Sequence, residues 1–110
     1  LYFCKRIEMD FTFRNKELEK LYTTGKSKKL KLPSDIIEKF FARLQQIEAA
    51  NDIYDLWNDK GLNFEKLTNT ENSYSMRLKI KYRLEMDIDW KNNELTIGDF
   101  IITDISNHYS

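Results

Sequence analysis

The chain has 110 residues and a mass of 13.3 kDa, with 18 Lys and Arg against 18 Asp and Glu, 41% hydrophobic and 14% aromatic residues. That length suits one domain burying roughly 60–70% of its unfolded surface, and the aromatic content excludes compositional disorder. A net charge of zero argues against a generic nucleic-acid coat, no apolar run reaches the ~18 residues of a membrane helix, and the single Cys4 excludes an internal disulfide.

A reducing, cytoplasmic setting is expected, with no membrane partner. Residues 1–8 precede the first methionine, Met9, and read as an extension or leader; residues 9–110 read as a single domain.

Residues 9–13 alternate apolar and polar, which predicts a short strand with Met9, Phe11 and Phe13 on one face. The period then changes. Asn15 is an N-cap, Leu18, Leu21 and Tyr22 follow at helical spacing, and Gly25 closes a helix of about ten residues in the left-handed conformation. A lysine-rich connection follows, with Lys at four of the six positions 26–31. It is a candidate RNA contact or edge of a partner groove.

Pro33 and Ser34 open the clearest helix, with Ile37, Phe40, Phe41, Leu44 and Ile47 as its apolar stripe. It ends near Ala50, before a short amphipathic turn in which Ile53, Leu56 and Trp57 are expected to pack beneath it. After the turn at residues 59–61, Leu62, Phe64 and Lys66 alternate as a strand would. From Tyr74 to Trp90 a strict period of two persists. One strand of that length would span on the order of 55 Å, so the run must fold back, most economically at the polar triplet of residues 79–81. That hairpin sets Arg77 opposite Arg83. A second hairpin at residues 91–94 returns a last strand through Ile97, Phe100, Ile101, Ile102 and Ile105. The order predicts an α+β fold, with the N-terminal strand and two helices packed on one face of a small, mainly antiparallel sheet.

Arg77, Lys79, Lys81 and Arg83 share one parity, so they are expected together on the face away from Met76, Leu78, Tyr82 and Leu84. Such charges are ordinary on a solvated outer face. Like charges directly opposed in a sheet are unfavourable, however, and that is what an anion site looks like. His108 and Tyr109 follow the last strand; His titrates near neutrality and Tyr can donate a proton or stack on a base, although a lone terminal His is ordinarily just surface. With one His and one Cys, and no glycine-rich phosphate loop, no metal and no cofactor is expected.

Several segments together resemble one family: Tyr22-Thr23-Thr24-Gly25-Lys26-Ser27, Leu44-Gln45-Gln46-Ile47-Glu48-Ala49-Ala50, Asp55-Leu56-Trp57, Leu62-Asn63-Phe64-Glu65-Lys66-Leu67, Tyr74-Ser75-Met76-Arg77, Tyr82-Arg83-Leu84-Glu85 and Ile105-Ser106-Asn107-His108-Tyr109. In order and with short gaps over residues 9–110, they are similar to HigB-type toxins, plasmid-maintenance killer proteins of the RelE/ParE superfamily. The resemblance implies a small α+β toxin that cleaves messenger RNA on the ribosome and inhibits translation. It also implies a helix-turn-helix, HigA-type antitoxin as partner. The implied chemistry is metal-independent attack of a ribose 2′-OH on the adjacent phosphate.

Arg83 matches the family's strand arginine and is expected to bind the scissile phosphate. Arg77 and Lys79 match basic positions on the preceding strand and turn and, with Lys81, form the expected phosphate-binding set. His108 and Tyr109 match the terminal pair suited to proton transfer and stacking. Many members carry a His and a Lys around the loop after Leu67, where this chain has Glu65, Thr68 and Asn69; Glu65 is a candidate base of its own. The alternative is a non-catalytic superfamily toxin or binding module acting on gyrase or another target.

Overall fold

The computed structural model describes residues 9–79 and 81–107. Asn15 caps the first helix as its type requires: its side chain accepts from the backbone N–H of Glu17 and Leu18. Helix α1 (Lys16–Thr24) ends where Gly25 turns left-handed at φ 78°, its N–H donating to the Leu21 carbonyl. Helix α2 (Ser34–Ala49) starts immediately after Pro33.

Before these helices lies β1 (Phe11–Phe13), and after them come a single helical turn α3 (Tyr54–Trp57), a 3-10 turn (Lys60–Leu62), and strands β2 (Glu65–Lys66), β3 (Ser73–Lys79), β4 (Tyr82–Trp90) and β5 (Gly98–Asn107). The sheet order is β1-β5-β4-β3-β2. β1 runs parallel to β5, while β2 to β5 form the antiparallel meander. The α+β layering is the one expected, with β1 added beside the last strand.

The core lies between the helices and one sheet face. Leu18 and Leu21 of α1 and Ile36, Phe40, Leu44 and Ile47 of α2 are buried against Met76, Leu78, Leu84, Met86, Ile88, Phe100 and Ile102. Ile36 holds the central place expected of Ile37, which with Phe41 flanks the stripe half-buried. Among the described residues no helix is long and apolar enough to cross a membrane.

Three local expectations change. The strand expected from Leu62 shrinks to Glu65–Lys66, because Asp59 accepts from the Gly61 N–H, coils residues 60–62, and leaves Asn63 left-handed at φ 45°. Trp57 is 42% exposed rather than beneath α2, its ring meeting that of Phe64 in a T-shaped arrangement with the ring centres 4.5 Å apart. In β5, the register against β4 shifts between Glu85 and Met86, so that Ile102 and Ile105, three apart, both reach the core.

Candidate active site

The β3–β4 hairpin places Arg77 directly opposite Arg83, as the period of two requires. One step on, Lys79 rather than Leu78 pairs with Tyr82. This bulge puts an extra residue into β3 and turns Lys79 off the parity that the sequence pattern assigns it. Lys79 meets Asp35 in the first turn of α2, at 2.5 Å. The charge and hydrogen bond of Lys79 hold the Asp35 carboxyl below the ordinary carboxylate range. Lys79 and Lys81 line a cleft against Pro33 and Ile36. The four-residue basic stripe is therefore divided: Arg77 and Arg83 share the open face, and Lys79 and Lys81 turn to the α2 cleft.

Arg83 is held from three directions. Its Nε donates to Ser75 Oγ at 2.9 Å, its NH2 donates to the Asn63 carbonyl at 2.6 Å, and the same nitrogen lies 3.4 Å from Glu65 Oε1. The Arg83 side chain retains only 14% of its exposure, whereas the Glu65 side chain keeps 54%. Ser75, whose hydroxyl accepts from it, is the one buried polar residue among the described residues, at 1%. Three acceptors around one planar guanidinium fix its orientation.

Arg77 is exposed and, among the described residues, its side chain has no hydrogen bond or ion pair. Its backbone carbonyl accepts from Arg43 Nε of α2 at 2.8 Å, which ties the strand to the helix layer. Burial pulls the Arg43 guanidinium below its ordinary value while the charge of Asp59 opposes the shift. One row along the open face, Glu65 faces Ser75, Ser75 faces Glu85, and Glu85 faces Asp104. Partial desolvation raises the Asp104 carboxyl, and the charge of Glu85 adds to the rise. A row of three carboxylates thus borders the arginine pair and partly offsets its repulsion.

Sequence reasoning missed Ser75, the Asn63 carbonyl and Asp35. Ser75 was open to discovery, since a small hydroxyl residue stands on the arginine face two positions from Arg77. The Asn63 carbonyl depends on a left-handed turn that no periodicity announces. β5 brings Asn107 beside Tyr82 and Ser106 beside Arg83. His108 and Tyr109 come next in sequence and lie outside the described residues. Also among the described residues, no group of three His, Cys, Asp or Glu side chains is arranged to hold a metal ion.

The comparisons with known proteins agree with this architecture. The fold is similar to the YoeB dimer structure from Staphylococcus aureus, with a TM-score of 0.53 and 20% identity over 93% of this chain and 99% of that one. It is similar as well to the YoeB/ParE toxin from Agrobacterium tumefaciens, with a TM-score of 0.52 and 11% identity over 92% and 100%. At these identities the likeness establishes the fold. A comparison with curated proteins finds no match. A family model for HigB-like toxins, described as the RelE-like toxin of a type II toxin–antitoxin system, matches residues 11–100, which include Glu65, Arg77 and Arg83. The chain therefore belongs to the HigB-like toxins, the RelE-like toxins of type II toxin–antitoxin systems.

Proposed function

We propose that this toxin is a ribosome-dependent endoribonuclease that cuts messenger RNA without a metal ion and so stops translation. The observation that carries the proposal is the fixed guanidinium of Arg83, braced by Ser75 and Asn63, with the exposed Arg77 opposite it. Two guanidinium groups on one rigid face suit a phosphate whose negative charge grows during reaction, and fixed donors need no reorganisation as it does.

In this mechanism Arg83 and Arg77 hold the scissile phosphate. The 2′ oxygen of the preceding ribose forms a bond to phosphorus as its proton passes to a base, a role assigned to Glu65, which lies beside Arg83. The bond from phosphorus to the 5′ oxygen breaks, and a general acid returns a proton to that oxygen. The products are a 2′,3′-cyclic phosphate and a 5′ hydroxyl. His108 and Tyr109, which follow the strand paired with β4, are assigned the acid and stacking roles that the family resemblance implies. Phosphate contact is assigned to Arg77 and Arg83, since Lys79 and Lys81 line the α2 cleft. The site is assigned to cytoplasmic ribosomes carrying message, and its control to a HigA-type helix-turn-helix antitoxin.

The purified chain should cut a defined message bound to ribosomes, leaving 2′,3′-cyclic phosphate ends, and leave the same message intact in free solution. Arg83→Ala should lower the rate about 10²- to 10³-fold, the usual loss for one fixed donor to a developing anion. Equal cutting by Arg83→Ala would overturn the assignment, and growth arrest with uncut message would point to gyrase or another bound target.

A further inference from the structure

A cleft of about 420 Å³ opens between the first turn of α2 and the β3–β4 hairpin, and the reaction above makes no use of it. Pro33, Ile36 and Tyr82 give it an apolar floor, and Lys79, Lys81 and Asp35 stand around it. Pockets of about 300–1,000 Å³ take small ligands or a few inserted side chains rather than a folded surface. The segment that delivers Pro33 to the cleft carries the exposed Lys26, Lys28, Lys29 and Lys31. Among the described residues Asp35 is the one acid in the lining, and Lys79 already neutralises it.

An apolar floor with a lysine-rich approach matches a ligand that is itself apolar and acidic. Single-stranded RNA fits less well: it is bound through aromatic platforms and arginine planes on which bases stack, whereas among the described residues this floor is largely aliphatic and its aromatic ring, Tyr82, is half-buried. A type II toxin has an antitoxin as its partner. We propose that this cleft seats an acidic peptide segment of the protein antitoxin, whose apolar side chains fill the floor and whose carboxylates meet the surrounding lysines. The inference rests on family membership and the geometry of the cleft, and it stands whether or not the chain cuts RNA.

The position has a consequence for control. Tyr82 lines the cleft while its neighbour Arg83 lies on the open face, so a segment seated here grips the hairpin from behind. It competes with Asp35 for Lys79 and leaves Arg77 and Arg83 uncovered.

The test uses the isotope-labelled full chain and a short synthetic probe peptide of Glu, Leu and Phe, with backbone amide shifts recorded by NMR. A second peptide with Lys in place of Glu, and a single-stranded oligouridylate, serve as the comparison probes. The acidic peptide should shift the amides of Ile36, Lys79 and Tyr82, and the basic peptide should leave them unmoved. Lys81→Glu should weaken acidic-peptide binding about tenfold, and Asp35→Asn, which frees Lys79 at an exposed position, should strengthen it severalfold. Both substitutions are at partly or fully exposed sites, and unchanged shifts elsewhere in the spectrum establish that the variants are folded. The proposal is overturned if the oligouridylate alone moves these amides, if concentrating the protein without any probe moves them as a second copy would, or if peptide binding ignores both substitutions.

Discussion

Arg77 and Arg83 face each other in register across β3 and β4, with like charges in a position where sheets ordinarily place opposite ones. What makes the pairing tolerable is asymmetric. Arg83 is committed to Ser75, Asn63 and Glu65, while Arg77 reaches into solvent. The open face therefore holds one braced and one unbraced cation.

Arg83→Lys should behave more like Arg83→Ala than like the wild type. An ammonium keeps the charge, but a single nitrogen cannot serve Ser75, Asn63 and a phosphate as a planar fork does. The ribosome-bound cleavage assay measures this directly, and a rate within about threefold of wild type would show that charge alone suffices.

Ser75→Ala removes the acceptor for Arg83 Nε at a site with 1% exposure. The loss of a buried hydrogen bond to a charged group should cost about 1.5–3 kcal/mol in denaturant unfolding, and the loosened guanidinium should slow cleavage about tenfold. A stability loss without any change in cleavage would mean that Ser75 supports the sheet and not the site.

Much of the scaffold was legible because its signals are local. Asn15, Gly25 and Pro33 mark helix ends by backbone chemistry, and the period of two from Tyr74 onward located the hairpin and the Arg77–Arg83 pairing. The division of the basic stripe was not legible, because a bulge adds one residue without altering the alternation of residue types, and it carries Lys79 to Asp35. The parallel docking of β1 on β5 was likewise hidden, since strand order depends on contacts nearly ninety residues apart, such as Phe11 with Phe100. The bracing of Arg83 by Asn63 comes from a backbone carbonyl, which no side-chain pattern encodes.

Phe40→Ala should lower stability by about 3–5 kcal/mol, since Phe40 is fully buried in the α2 stripe and its removal leaves a cavity. Urea unfolding should show a lower midpoint with an unchanged slope. A loss below about 1 kcal/mol would mean that α2 does not pack on the sheet as described.

Gly98→Ala should cost about 1–3 kcal/mol, because the added Cβ would lie 2.8 Å from the Asp89 carbonyl oxygen and 2.8 Å from Ile88 Cγ2 at the β4–β5 turn-in. The first of these is backbone and cannot swing away. Thermal unfolding of the variant at the wild-type temperature would contradict the close approach of β5 to β4.

Two carboxylates should respond to pH with opposite signs. The Asp104 group is raised in the folded state, so its charge weighs against folding at neutral pH and that penalty fades as pH falls through the carboxylate range. Asp104→Asn should therefore melt higher than wild type at pH 7, with the advantage shrinking towards pH 4. The Asp35 group is lowered by Lys79, so its contribution is present above the ordinary carboxylate range and is lost as pH falls. Asp35→Asn should melt lower at pH 7, with the deficit closing in acid. Paired melts across this range check both signs.

The proposed activity is tested most directly by mapping 5′ ends on a reporter message in bacteria after brief induction of the toxin. One reporter copy keeps its start codon, a second lacks it, and Arg83→Ala toxin is induced in parallel. New ends should appear within the reading frame of the translated copy and be absent from the untranslated copy and from cells expressing Arg83→Ala. Cuts of equal strength in both copies would contradict ribosome dependence, and arrested growth with an intact message would contradict the nuclease itself.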